Sequence, residues 1–224
     1  WWGPSIRNSI MMSNHARGYK HITFNTIKPL KTKIGNIEWQ LISARLDNSG
    51  YNQSGYQRTN SGRPIYIPKI NQLGEKDDWR YMQALMFSYS PKWIDGLSLG
   101  YVRWVQFYSA LVEGKYTWMN GNTNYFPVFS NLFRKNDQSA SHEAQTDQAA
   151  GLFFRWLWKE SNTEIYTEYY FNDSKVNVRD LLLDSRHARA FTIGLQKYFH
   201  KNSFKLNFEW TQMEQTGGRL LRNA

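Results

Sequence analysis

The chain has no cysteine. That absence excludes a disulfide framework, a thiolate metal site and a cysteine nucleophile, while leaving the compartment open. No stretch approaches the ~20 consecutive apolar residues of a membrane-spanning helix. An export signal is missing too. The opening residues Trp1, Trp2, Gly3, Pro4 and Ser5 read like the interior of a longer protein, so the expectation is a fragment whose signal lies upstream; a mature exported chain looks the same. The sequence also lacks a nucleophile elbow, a phosphate-cradling glycine loop and a dinucleotide-binding glycine fingerprint. His15, His21, His142, His187 and His200 lie far apart and form no zinc-ligand spacing. His142 and Glu143 sit in a polar stretch and read as solvated. Neither a cofactor nor a metal is expected.

Aromatic residues are plentiful: 14 Tyr, 13 Phe and 10 Trp make up 17% of 224 residues. That is heavy for a soluble globular chain, yet mean hydropathy is −0.67. The two facts agree if aromatics line one side of alternating strands and polar residues the other, as in a membrane barrel with lipid outside and water inside. Net charge is +10. A nucleic-acid site gathers its basic residues on one face, whereas here Lys and Arg are scattered, so no nucleic-acid partner is expected. An anionic polysaccharide or the lipopolysaccharide headgroup layer suits a dispersed basic surface better. Solvated loop charge accounts for it equally well.

Period-two alternation recurs along the chain. Phe204, Leu206, Phe208 and Trp210 point one way, and Lys205, Asn207, Glu209 and Thr211 the other. Before the polar turn at His200, Lys201 and Asn202, residues 189–199 put Phe191, Ile193, Leu195 and Phe199 outward. Ala190, Thr192, Gly194 and Gln196 face inward. Ile22, Phe24 and Leu30 mark another strand, followed by Ile37, Trp39 and Leu41. Leu85, Phe87 and Tyr89 mark the next, then Leu97, Leu99, Tyr101 and Val105. Leu152, Phe154, Trp156 and Trp158 precede Ile165, Tyr169 and Phe171. The total is about eight strands of roughly ten residues, the length a tilted membrane strand needs.

Connections alternate in length. Turns near 33–36, 91–96, 159–162 and 200–202 are short; the stretches 48–78, 108–148 and 172–187 are long and polar. Short turns on one rim and long loops on the other are the habit of outer-membrane barrels. The expectation is therefore all-β: an antiparallel up-and-down transmembrane β-barrel, with residues 1–224 one contiguous part of it. Aromatics near strand ends, such as Trp79 with Tyr81 and Tyr89 with Trp93, fit interfacial girdles, although aromatics also favour strands in general.

Carboxylates are the one feature that could serve catalysis. Glu164 and Glu168 share a face of one strand and Glu209 the analogous face of another, and a glycosidase needs two facing carboxylates. In a barrel these would point into the lumen, where Lys205, Arg103, Arg155 and Arg179 could balance their charge. Arg179 and Asp180 precede the apolar triplet Leu181 to Leu183, which folds back on a wall or plug, or forms a helical turn at the rim. The 108–148 stretch interleaves Tyr116, Trp118, Tyr125, Phe126 and Phe129 with Asn120, Asn122 and Asn124. Flat rings and amides together suit a sugar. An ordered loop with its own small core reads the same. Candidate ligand-binding residues are Tyr116, Trp118, Tyr125, Arg103, Arg155, Arg179, Asp180 and Glu168, and no catalytic residue is expected.

The stretch Trp2 to Asn14, continuing through Ala16, Gly18 and His21, resembles the capsule assembly Wzi family. So do Lys28 and Pro29 ahead of Ile34 and Gly35, Leu152 to Trp156 with Glu164 to Tyr169, Asn177 to Leu183, Ser185 to Ala190, and Gly194 to Lys197. The resemblance keeps its order over nearly the whole chain. It implies an outer-membrane barrel of about eighteen strands with a helical plug, loops facing the cell exterior, and a lectin-like, non-enzymatic role in retaining capsular or surface polysaccharide. Partners so implied are the polysaccharide, outer-membrane lipid and lipopolysaccharide, and a possible outer-membrane protein complex. A porin-like channel or transport component is the alternative. The upstream plug and first-strand region, and the barrel beyond Ala224, are missing from the match. Because an open sheet edge is not viable in lipid, residues 1–224 alone are not expected to insert; refolding into detergent tests this, and a compact, heat-resistant monomer would count against it.

Overall fold

The computed structural model describes residues 2–12, 18–47, 56–58, 64–66, 79–108, 126–129, 146–172, 189–199 and 203–214. Among the described residues there are eleven strands: β1 (Lys20–Asn25), β2 (Leu30–Lys31), β3 (Gly35–Leu46), β4 (Tyr56–Arg58), β5 (Pro64–Tyr66), β6 (Arg80–Pro91), β7 (Leu97–Tyr108), β8 (Thr146–Trp158), β9 (Thr163–Asn172), β10 (Arg189–Phe199) and β11 (Phe204–Glu214). Eight of them form one antiparallel path in the order β1-β3-β6-β7-β8-β9-β10-β11, with β2 pairing β3 beside it. Apart from the short β2, β4 and β5, each strand pairs with its neighbour in sequence, which makes an up-and-down sheet. It does not close: β1 and β11 are its edges among the described residues. The small hairpin β4–β5 lies within the long 48–78 stretch and was not expected from the sequence. Among the described residues no helix is long and apolar enough to cross a membrane, which says nothing of a chain that crosses with strands.

Connections fall as the alternation predicts. Residues 92–96 and 159–162 are short turns at one end, where only four residues also separate β10 from β11, while the long stretches after Leu46, Tyr108 and Asn172 leave from the other. Register then assigns every side chain to a face, because directly paired residues point the same way. Leu85, Arg103 and Ala150 share a row, as do Phe87, Tyr101, Leu152, Tyr169 and Phe191. On the opposite face Gly100, Phe153, Glu168 and Thr192 stand level.

The two faces have opposite chemistry. On β11, Phe204, Leu206, Phe208 and Trp210 are 68%, 52%, 56% and 49% exposed. Ile22, Phe24, Leu99, Leu152 and Ile193 are exposed on the same outward face. Leaving such side chains in water would forgo about 1.5–3 kcal/mol each, and soluble monomers rarely expose so wide an apolar field. Rings gather where this face meets the short turns. Trp156 and Trp158 lie 4.9 Å apart and Tyr89 and Trp93 6.4 Å; the Trp156 indole donates to the Asp95 carbonyl at 3.2 Å and the Tyr89 hydroxyl to the Ile34 carbonyl at 2.9 Å. A belt of anchored rings at one end of the outward face is the pattern an interfacial girdle would give.

The core lies on the inner face. Ile42, Ala44, Met82, Ala84, Val102 and Tyr170 are buried there against Trp2 of the N-terminal segment. Small residues make room for rings: a Cβ on Gly100, Gly151 or Gly194 would overlap the rings of Phe153, Tyr170 and Tyr166 directly across the ladder. Aromatic cover over strand glycines pins register.

Candidate functional site

The inward row of β9 is Glu164, Tyr166, Glu168 and Tyr170, alternating with outward Ile165, Thr167, Tyr169 and Phe171. Glu168 and Tyr166 are essentially fully buried. What covers them is chain. Residues 2–12 lie across the inner face, closed on themselves by the Trp2 N–H donating to the Met12 carbonyl at 3.0 Å, with the Ser9 hydroxyl between the Trp2 and Met12 carbonyls. The Trp2 indole N–H donates to Gln40 Oε1 at 2.6 Å on β3.

Two carboxylates grip the middle of this segment. The Ser5 N–H donates to Glu168 Oε1 at 2.8 Å. The Ile6 N–H donates to Glu209 Oε2 at 2.7 Å, the Asn8 N–H to Glu209 Oε1 at 3.0 Å, and the Arg7 N–H lies within 3.4 Å of both oxygens. The Tyr166 hydroxyl adds a further donor to Glu209 Oε2 at 2.6 Å. Successive backbone N–H groups aimed at one anion make a nest, and charge-assisted bonds of this kind are roughly twice as strong as neutral ones. Gly3 permits the approach. Its φ of +97° is left-handed, and a Cβ there would stand 2.3 Å from Glu168 Oε1.

Toward the short turns the inner face opens into a cleft of about 460 Å³ lined by Leu157, Lys159, Asn162, Glu164, Gln196 and Tyr198. Arg155 borders it, holding Glu164 in a fork with Nε to Oε1 at 2.8 Å and Nη2 to Oε2 at 2.9 Å. Lys197, from the outward row, donates to the Ser161 carbonyl and the Thr163 hydroxyl. Among the described residues no group of His, Asp and Glu is placed to hold a metal ion.

The structure thus brings Glu164, Glu168, Glu209 and Arg155 to one face, as their alternation predicts. Two expected partners are elsewhere. Arg103 does not enter the lumen: it is on the outward face, buried under residues 126–129, donating to the Val128 carbonyl at 3.0 Å and to Gln148 Oε1 at 2.9 Å. The signal is in the sequence, since Arg103 shares the parity of Leu99, Tyr101 and Val105, whose side chains point outward. Lys205 does point inward, but it stands 5.2 Å from the Tyr198 ring centre instead of pairing with a carboxylate. Tyr116, Trp118, Tyr125, Arg179 and Asp180 lie outside the described residues. Sequence reasoning missed Gly3, Tyr166 and the three ring-covered glycines. Only the ladder register could have matched each glycine to its ring.

The sequence profile of one family, described as capsule assembly protein Wzi, matches residues 1–221. No curated protein and no solved structure matches the chain.

Proposed function

The chain belongs to the capsule assembly protein Wzi family, an outer-membrane family, and on that premise we propose that it is a non-enzymatic glycan holder that retains capsular or related surface polysaccharide at the cell surface. One observation carries this reading over its rivals. Residues 2–12 are fastened over the inner face by Glu168 and Glu209, side chains that a hydrolase would need facing an open cleft and that a channel would leave facing water. Glu209 accepts three consecutive backbone N–H groups and Glu168 one, so both carboxylates hold chain where a hydrolase would leave them facing substrate.

Glycan contact then falls to the aromatic and amide residues of the 108–148 loop, with Tyr116, Trp118 and Tyr125 offering ring faces, and to the cationic fork of Arg155 beside the inner cleft. Arg179 and Asp180 supply further hydrogen-bonding groups, and the long connections face outward from the cell, where the polymer lies. Binding of purified capsular polysaccharide to the full-length protein in detergent tests this. Replacing Tyr116, Trp118 and Tyr125 together by alanine is expected to weaken binding at least about tenfold, the scale on which aromatic anchors act. Unchanged affinity would remove the loop from the site. In planar bilayers the protein should show no sustained conductance; an open pore would favour a porin-like channel or transport component instead.

A further inference from the structure

Three residues of the inner face stand in one row: Tyr166 on β9, Gly194 on β10 and Glu209 on β11. The middle position has no side chain, so the Tyr166 ring lies over it, and a Cβ on Gly194 would overlap that ring. The Tyr166 hydroxyl thereby reaches Glu209 Oε2, two strands away, at 2.6 Å. The adjacent row is Glu168, Thr192 and Thr211, in which the two threonine hydroxyls are 3.0 Å apart. Together the two rows supply both carboxylates that grip residues 5–8.

The seat is therefore a product of pairing register. Inward residues of β11 are Lys205, Asn207, Glu209, Thr211 and Met213. A slip of one residue between β10 and β11 turns Glu209 to the outer face and sets Phe208 or Trp210 opposite Gly194. A slip of two keeps Glu209 inward but carries it roughly 7 Å along the strand. Asn207 or Thr211 then stands opposite Gly194, and neither is a carboxylate.

The seated segment also reaches far across the wall. Trp2 ties it to Gln40 of β3, Ser5 to Glu168 of β9, and Ile6 to Glu209 of β11, partners 38, 163 and 203 residues apart. The sheet itself joins only neighbours along its path, and β3 and β11 are six pairings apart. A contact that closes so long a loop costs more chain entropy than any hairpin of the wall. Its acceptor, moreover, is in place only once β9, β10 and β11 have paired.

We infer that residues 2–12 are a completion latch: the segment seats after β9, β10 and β11 have paired in register, and seating ties β3 to β11. The role is independent of any glycan site.

Ser5→Cys in the full-length protein, in a background free of other cysteines, reports seating. Ser5 is buried, and its backbone N–H is what Glu168 grips, so the substitution leaves the bond in place. During refolding into detergent, samples are pulsed with a water-soluble maleimide while heat-resistant mobility on gels reports the wall. Protection of the cysteine should appear with the heat-resistant form or after it; protection that comes first would overturn the latch. At equilibrium, Asn207→Glu with Glu209→Asn is added. The exchange keeps composition and moves the carboxylate as a two-residue slip would. Labelling should then speed up several-fold with heat-resistant mobility kept, and protection that persists would overturn the dependence on register. Tyr166→Phe, which keeps the ring over Gly194 and removes the bridge, decides the matter if that exchange does not fold. It should also speed labelling several-fold, whereas Tyr169→Phe, outward on the same strand, should not. Equal effects of the two tyrosine variants would overturn the inference.

Discussion

Residues 2–12 and 126–129 are both held against the same wall, one on each face, and the wall grips both by backbone groups. On the inner face carboxylates accept consecutive N–H groups; on the outer face Arg103 and Gln83 engage the two polar groups of a single peptide position, Val128. The inner segment brings Trp2 into an apolar core, while the outer one leaves its rings exposed. A seat that recognises backbone constrains the docked sequence little, except where approach distance matters. That is why Gly3 stands out and Arg7 or Asn8 does not.

The largest break should come at the tightest point of the inner seat. Glu168→Ala takes the acceptor from a buried N–H and empties the space beneath it. We expect a loss of about 2–3 kcal/mol, read as a lower melting temperature and rapid proteolysis within residues 2–12; Gly3→Val should phenocopy it by collision and strain. Glu209→Ala is expected to cost less, about 1–2 kcal/mol, because its three N–H partners lie nearer solvent and water can replace the carboxylate. Arg103→Leu should cost about 1–2 kcal/mol on the outer face, with new protease cleavage confined to the 108–148 stretch. Combined with Glu168→Ala its effect should add to within ~0.5 kcal/mol, since the two seats share no partner; strong non-additivity would mean the faces are coupled through the sheet. Arg155→Ala, at a half-exposed fork, should change stability by no more than ~1 kcal/mol. Smallest of all is Asp47, just past β3, where the Arg45 hydrogen bond holds its carboxyl below the usual carboxylate value. Any stabilisation there is present above the unfolded pKa and lost as pH falls through the depressed one. At full exposure it should show in an NMR titration and leave the melting temperature unmoved.

The strands were legible because each meets two different solvents and so alternates plainly. Residues 204–211 announced both their faces, and the structure agrees residue by residue. Arg155 was one of four cations expected to balance the inward carboxylates, and the ladder register gives it Glu164 as its partner. Arg103 obeyed strand parity but was assigned by its charge, and the seat that makes an outward arginine tolerable comes from a segment more than twenty residues away in sequence. The three glycines facing rings looked like weak points in strand patterns; they became packing sites only through register.

By itself the sequence determined the alternation of apolar and polar faces along the strands, the order of short and long connections, and the family, since all of these are local or ordered along the chain. Only the tertiary structure decided what the inward carboxylates hold and what shelters Arg103. Period two specifies a direction for each side chain, but not the piece of chain that arrives to meet it.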